Sequence, residues 1–294
     1  MQTRTKQIWI LCVSAALALS ISAQASVVVT QVEDRSYWSL WLLSDWIQQD
    51  IAHRQIWENH DVRTVAEFTA EALVGVDIVY VSPTYLDMEL QITTREIDAL
   101  EDFVIAGGRL ILPGDSRDWV GGFRPIAARF GVTYGNAWIK GVPAALVEDF
   151  ANPITNGPAG VVNTYSGASP NDELSSTNPD FRVLARWESG PSALGYLRHG
   201  AGEVVFLTDF NTWDNDMIQQ RENQILWTNL FEEPAACEPC DMNCDGTIDA
   251  FDIEPFLGIL FGGDPPCDPC TGDANGDGGV DAFDIEPFLS CLFP

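Results

Sequence analysis

Near the carboxyl end, Asp241-Met242-Asn243-Cys244-Asp245-Gly246-Thr247-Ile248-Asp249-Ala250-Phe251-Asp252 puts oxygen-bearing side chains at positions 1, 3, 5, 9 and 12 of a twelve-residue stretch, with glycine at position 6. Thirty-two residues on, Asp273-Ala274-Asn275-Gly276-Asp277-Gly278-Gly279-Val280-Asp281-Ala282-Phe283-Asp284 repeats the pattern, and both copies continue Ile-Glu-Pro-Phe-Leu. Donors in that order suit a hard cation such as Ca2+, which takes six to eight oxygens and needs a sharp turn at position 6 that glycine makes cheaply. Position 7 contributes a backbone carbonyl, so Thr247 and Gly279 need no special side chain. The expected ligands of two Ca2+ ions are therefore Asp241, Asn243, Asp245, Thr247, Asp249 and Asp252, then Asp273, Asn275, Asp277, Gly279, Asp281 and Asp284. A disordered acidic tail would also carry Asp-Gly turns, but it does not account for a duplication. Ile248 and Val280, at position 8, are expected to pair the two loops through a short strand.

The surroundings of these loops are unusual in charge and in sulfur. From Glu233 onward there are 14 acidic residues and no Lys or Arg. Cys237, Cys240, Cys244, Cys267, Cys270 and Cys291 all fall in the last 58 residues. An even number of cysteines in a short exported segment points to disulfides, with 15 possible pairings among six. The alternative is a four-sulfur zinc site made from Cys237-x-x-Cys240 and Cys267-x-x-Cys270.

Export is itself an expectation from the first 25 residues. Arg4 and Lys6 precede an apolar run of 14 residues (8–21) and the small-residue site Ala23-Gln24-Ala25, the pattern of a cleavable signal peptide placing the mature chain outside the cytoplasm. A spanning helix needs about 20 apolar residues, so membrane insertion is not expected after cleavage. The formal net charge of -28 becomes -30 (13 basic against 43 acidic residues) once Arg4 and Lys6 are removed. Such a surface repels nucleic acid and anionic lipid.

In the remainder, Glu232-Glu233-Pro234-Ala235-Ala236 separates residues 26–232, which hold no cysteine, from the tail at 237–294, with 233–236 as linker. Strand patterns at 26–32, 76–81 and 109–112 alternate with helical periodicity at 38–51 and 93–105, the latter cappable by Thr93 or Thr94 and stopped by Gly107-Gly108. Further strands are expected at 181–187, 193–198 and 203–208, and a closing helix at 216–231. Strands separated by helices imply right-handed crossovers and a mostly parallel sheet flanked by helices, an α/β domain. Residues 132–180, rich in Gly, Pro, Asn and Ser, show no assignable pattern.

Two resemblances follow. The tail resembles the type I dockerin domain, a duplicated pair of Asp-x-Asn-x-Asp-Gly loops each followed by a helix, with Asp at position 12. The resemblance implies a small α-helical domain with EF-hand-type loops and the calcium ligands named above. It also implies a cohesin-like or cell-surface protein partner contacted by Ala250, Phe251, Ala282 and Phe283, presented as two near-equivalent faces. Pro255, Pro287 and the six cysteines depart from the family; a helix beginning late, with proline first, would accommodate the prolines. Phe256, Leu257 and Leu260, with Phe288, Leu289 and Leu292, are expected to form a small core. Residues 76–115 and 202–211, with Arg-Leu-Ile-Leu-Pro-Gly-Asp at 109–115 and Asn223 and Asn229 beyond, resemble the class I glutamine-amidotransferase-like (flavodoxin-like) α/β fold. Where that family's enzymes carry Cys and His, this chain has Asp115-Ser116 and Asp209-Phe210-Asn211, so thiolate amidotransfer is excluded.

Two functional classes remain. In one, the α/β domain is a non-catalytic binding domain whose strand-end residues Asp115, Ser116, Asp209, Asn211 and Asp214 line a crevice. Beside Trp119 and Trp213, those groups suit a carbohydrate or similar polar ligand. In the other, the chain is an extracellular hydrolase of carbohydrates or esters, in polysaccharide breakdown, delivered by its dockerin. A triad of Ser116, His199 and Asp209 can be drawn for it, although Gly114-Asp115-Ser116 lacks the Gly-x-Ser-x-Gly elbow. His199, next to Gly200, reads equally as a hairpin residue, and His53 and His60 as solvated.

Overall fold

Val-Val-Val-Thr-Gln is a β-branched run, and it forms β1 (Val27–Gln31) with parallel partners on both sides: β2 (Asp61–Val65) and β3 (Ile78–Tyr80). The computed structural model describes residues 26–31, 56, 60–81, 92–115, 124–214, 217–232, 240–242, 248–263, 272–275 and 280–293. The helix expected at 38–51 and the signal segment lie outside these residues.

Helix α1 (Thr94–Ile105) starts where the sequence places it. The Thr93 hydroxyl accepts from the Glu96 N–H while the Glu96 carboxylate accepts from the Thr93 N–H, a reciprocal capping box. It ends before Gly107, whose φ of 113° lies in the region that favours glycine. β4 (Arg109–Pro113) follows, pairing parallel with β3 on one side. On its other side β4 pairs, again parallel, with β13 (Gly202–Leu207), far along the chain.

From β13 the direction reverses. β12 (Ser192–His199), β11 (Arg182–Trp187), β6 (Ala144–Val147) and β9 (Thr164–Ser166) add antiparallel, giving nine strands in the order β2-β1-β3-β4-β13-β12-β11-β6-β9. The sheet is therefore mixed, correcting the mostly parallel expectation. Among the described residues helix α1 joins β3 to the parallel β4, whereas short turns join β11 to β12 and β12 to β13, which permits antiparallel neighbours. Two small ribbons, β5 (Val132–Tyr134) with β10 (Leu174–Ser176) and β7 (Asn156–Gly157) with β8 (Gly160–Val161), occupy the stretch that showed no pattern. β2, at the sheet edge, was likewise not anticipated.

Side chains alternate across this sheet into two cores. Val28, Ile78, Tyr80, Ile111, Val205 and Leu207 pack with Leu226, Trp227, Leu230 and Phe231 of α3 (Asn223–Phe231). Val29, Val79, Leu110, Leu112, Val204 and Phe206 pack with Ile97, Leu100, Phe103 and Val104 of α1 and with Ile126 and Ala127 of α2 (Arg124–Arg129). The result is a three-layer α/β domain. α3 begins seven residues later than the periodicity suggested.

One ion pair crosses the β4–β13 seam. Arg109 and Glu203 face each other in register and are both buried, with the guanidinium Nε bonded to Glu203. Arg109 Nη1 also donates to the carbonyls of Leu230 at 2.8 Å and Glu232 at 2.5 Å, and Tyr196 Oη donates to Glu203 at 2.8 Å. Burial pushes the Glu203 carboxyl up, but Arg109 and Tyr196 outweigh it and hold it below its ordinary 4.5. Replacing Glu203 with Gln leaves a buried guanidinium uncompensated, a loss of about 3–5 kcal/mol in urea unfolding of the intact protein. Because the folded pKa is depressed, this stabilisation is present above pH 4.5 and is lost as pH falls through the folded value. The difference between wild type and Glu203→Gln should narrow correspondingly in acid.

Candidate functional site

β4 and β13 run in the same direction, so the residues after their C-terminal ends meet. Gly114 N–H donates to the Leu207 carbonyl at 2.7 Å, which brings Asp115 beside Thr208 and Asp209. Asp209 caps a short 3-10 turn, Phe210–Trp213, its Oδ1 accepting from Asn211 N–H at 2.9 Å. Its Oδ2 accepts from Ala168 N–H, in the loop after β9. That approach requires glycine at 167, since a Cβ there would run into Asp209 Oδ2 and the Trp187 ring. Asn171 N–H to the Thr208 carbonyl (2.7 Å) and Trp187 Nε1 to Thr208 Oγ1 (2.9 Å) complete the tie.

Asp115 and Asp209 are buried and Asp214 is half-buried. Burial first, then the charge of Asp115, pushes the Asp209 carboxyl well above its ordinary 3.8, and Asp214 adds to the rise; the two backbone N–H groups oppose it without reversing it. Tyr165, on β9, is fully buried, and its hydroxyl has no hydrogen-bond partner among the described residues. Burial, then Asp209, raises that phenol well above 10. Tyr80 is raised by burial and by Asp214. The cluster thus sets carboxyl, phenol and amide groups side by side, all capable of hydrogen bonding.

Of the expected crevice, Asp115, Asp209, Asn211 and Asp214 come together, with Asn211 Nδ2 donating to Asp214 Oδ2 at 2.9 Å. Ser116 and Trp119 lie outside the described residues. The triad does not form. His199 pairs with Gly202 at the start of β13, whereas Asp209 follows its end, roughly 20 Å away along the strand. His199 instead packs edge-on against Phe130 (5.3 Å between rings) and faces Glu101 at 3.6 Å. Trp213 is no sugar platform either; it is buried against Trp227 at 4.9 Å. Asn223 and Asn229 are buried brackets: Asn223 binds the Ser166 backbone on both its oxygen and its nitrogen, and Asn229 holds residues 154–160. His60 is half-buried rather than solvated, its pKa lowered by burial; His53 is outside the described residues. Tyr80 and Tyr165 were missed, Tyr165 because no pattern in 132–180 marked β9.

In the tail, each repeat makes a 3-10 turn running into a helix: Ala250–Asp252 into α4 (Ile253–Leu260), and Ala282–Asp284 into α5 (Ile285–Leu292). Asp252 and Asp284 are wholly buried. Asp252 accepts from Met242 N–H (2.7 Å) and Asp249 N–H (2.8 Å); Asp284 accepts from Asn275 N–H (3.0 Å) and Asp281 N–H (2.7 Å). Each carboxylate thereby straps one end of its loop to the other. Pro255 and Pro287 sit third in their helices rather than first; a first-turn N–H has no intrahelical acceptor, so proline costs nothing there. Ile248 and Val280 are not in strands: Ile248 is exposed and Val280 packs on the small core.

That core is Cys240, Met242, Phe256 and Phe288, the two phenyl rings stacked at 4.0 Å. Leu292 packs against it, whereas Leu257 and Leu289 turn outward. Cys240 and Cys291 form a disulfide, which removes Cys240 from any four-sulfur zinc site. Cys237, Cys244, Cys267, Cys270, Asn243, Asp245, Thr247, Asp277 and Gly279 lie outside the described residues. Among the described residues, no three His, Cys, Asp or Glu side chains converge as a metal site, and no helix is long and apolar enough to cross a membrane.

No protein-family model matches the chain, and no curated protein matches its sequence. Among solved structures, the mmIFT52 N-terminal domain aligns at 14% identity with a TM-score of 0.52, covering 69% of this chain and 97% of that one. At that identity the likeness is one of fold. Similar structures also include a protein described as a GMP synthase subunit from Thermoplasma acidophilum (14% identity, 70% and 92% coverage, TM-score 0.47). A ThuA-like protein from Bacteroides uniformis aligns at 10% identity (69% and 88% coverage, TM-score 0.46). The mixed sheet flanked by helices agrees with the α/β expectation for residues 26–232.

Two outcomes follow. Asp115→Asn removes the charge that raises Asp209, so the Asp209 carboxyl should titrate at lower pH, read from its 13C resonance. A raised folded pKa favours the fold below pH 3.8 and disfavours it increasingly as pH rises through the folded value. The variant should therefore lose less stability than wild type between acid and neutral pH. In the tail, Cys240→Ala/Cys291→Ala opens a loop of 51 residues, and chain entropy predicts a loss of about 4 kcal/mol in tail unfolding, followed by calorimetry.

Proposed function

We propose that this chain is an exported two-part protein. A non-catalytic α/β domain binds a polar ligand, of which carbohydrate is the best chemical fit. A calcium-loaded, dockerin-like tail attaches it to a cohesin-like or cell-surface partner. The observation that carries the reading is the matched closure of the two loops. Asp252 and Asp284 are buried carboxylates in a segment, 233–294, with no Lys or Arg of its own. Buried charge of one sign calls for a counter-charge, and an all-oxygen donor set favours a hard dication.

Asp241, Asn243, Asp245, Thr247, Asp249 and Asp252 would hold one ion, and Asp273, Asn275, Asp277, Gly279, Asp281 and Asp284 the other. Calcium, when bound, would neutralise these carboxylates and lock the loops. The chain's own residues meanwhile set the loop ends: Asp249 and Asp281 cap the 3-10 turns, and the Phe256–Phe288 stack joins the halves. Phe251 is 75% exposed and Phe283 77%, in equivalent places, which supports their role as partner contacts. The absence of catalysis is supported by the separation of His199 from Asp209 and by the lack of cysteine between positions 12 and 237.

Calorimetric titration of the intact protein should find two calcium ions bound, with Asp252→Asn and Asp284→Asn each removing one. No uptake at millimolar calcium sinks the proposal. Against a panel of cohesin domains, Phe251→Asp or Phe283→Asp alone should leave binding through the other copy, and the double variant should lose about 100-fold or more, the effect of removing a buried aromatic anchor. Calcium uptake should be unchanged in all three.

A further inference from the structure

We propose that Asp77 receives the α-ammonium group created when the leader is cut between Ala25 and Ser26, so that processing itself strengthens the first strand of the α/β domain. This inference rests on the export reading above. The small-residue site Ala23-Gln24-Ala25 places the new amino terminus at Ser26. β1 begins one residue later, so no slack separates the cut from the sheet. Ser26 is 4% exposed, Val27 8%, and Val28 is wholly buried. The Ser26 carbonyl accepts from Asp61 N–H at 3.0 Å, and the Val27 carbonyl accepts from Asp77 N–H at 3.0 Å.

Asp77 closes the start of the β1–β3 ladder with its side chain. The ladder pairs Val28 with Ile78 and Val29 with Val79; one step before it, Asp77 Oδ2 accepts from Val27 N–H at 2.7 Å. One residue of extended chain spans roughly 3.3–3.6 Å, so the Ser26 nitrogen lies roughly 6 Å at most from that oxygen. An opposite charge at that range favours the charged form of an ionisable group. Before the cut this nitrogen is a neutral amide. Hydrolysis of the Ala25–Ser26 peptide bond consumes one water, leaving a carboxylate on Ala25 and an amine on Ser26. The amine carries a proton below its ordinary pKa of about 7.7–8.0. Other charges surround the same end of the sheet. Arg63 pairs with Asp61 on β2 at 2.5 Å, burial holds His60 toward its neutral form, and Arg109 of β4 is bonded to Glu203. Asp77 is the carboxylate that already touches the start of β1. Paired with it, the ammonium keeps its proton to higher pH than in the unfolded chain. The stabilisation is present below about pH 7.7 and is lost as pH rises through the folded value.

The test compares the exported protein, its first residue read by mass spectrometry, with a form that retains Ala23-Gln24-Ala25 and so carries its ammonium three residues further away. At about pH 6.5, hydrogen exchange at the β1 amides should be about fivefold slower in the form beginning at Ser26, the size of a good half-exposed ion pair. Asp77→Asn keeps an acceptor for Val27 N–H and removes the charge, so the two forms should then exchange alike. Equal protection of the two wild-type forms, or a difference that survives Asp77→Asn, overturns the inference. An exported protein that begins elsewhere than Ser26, or a chain that is not exported, instead refutes the leader reading beneath it. Should Asp77→Asn fail to fold, the α-amine of the wild-type exported protein decides, titrated through its 15N resonance. A pKa above about 8.0 supports the pairing, and one at or below that value overturns it.

Discussion

The parallel pairing of β4 with β13 organises the α/β domain, because two segments far apart in sequence must lie side by side and point the same way. At the start of the pair, Arg109 meets Glu203 and reaches the last carbonyls of α3, so the end of the closing helix is fixed to the sheet centre. At the other end, the same register delivers Asp115 to Asp209. Parallel strands gather their C-terminal ends on one edge, where α/β sheets place their ligand sites. The seam is also where the sheet changes from parallel to antiparallel neighbours.

Antiparallel extension has a consequence for chemistry. It reverses the chain at Gly200, where a φ of 62° suits a tight hairpin, and so carries His199 to the edge opposite Asp209. What gathers around Asp209 instead is backbone N–H from residues 168 and 211, the Tyr165 phenol and a second carboxyl. Burial and the second carboxyl favour the protonated form of Asp209, while the two backbone N–H groups favour the charged one. The tail solves a different problem. It is too small for a large core, and among its described residues a phenyl stack, the Cys240–Cys291 disulfide and two buried carboxylates that tie loop ends together hold it.

Legibility followed the range of the interactions. The capping box at Thr93 and Glu96, the stop at Gly107, the strands at β1, β4 and β11 to β13, and the hairpin turn beside His199 rest on contacts within a few residues. All could be read from spacing. β2 is a half-exposed edge strand with no clean alternation, and β5 to β10 are two to four residues long in a stretch rich in turn formers. Their pairing is chosen by partners elsewhere in the chain, which periodicity does not encode. Tyr165 and Gly167 belong to that stretch, which is why the side of the site they build was not visible. Asp115, Asp209, Asn211 and Asp214 were visible because strand ends in an α/β sheet are places with a physical meaning.

The sequence by itself determined the duplicated twelve-residue loops, the cation-free acidity around them and the α/β character of residues 26–232. Those depend on residue type and local order alone. Only the tertiary structure decided that the sheet is mixed, that His199 and Asp209 lie at opposite ends of it, and that Cys240 pairs with Cys291. Each of those is a choice among distant partners, settled by packing and by the direction in which a strand enters the sheet.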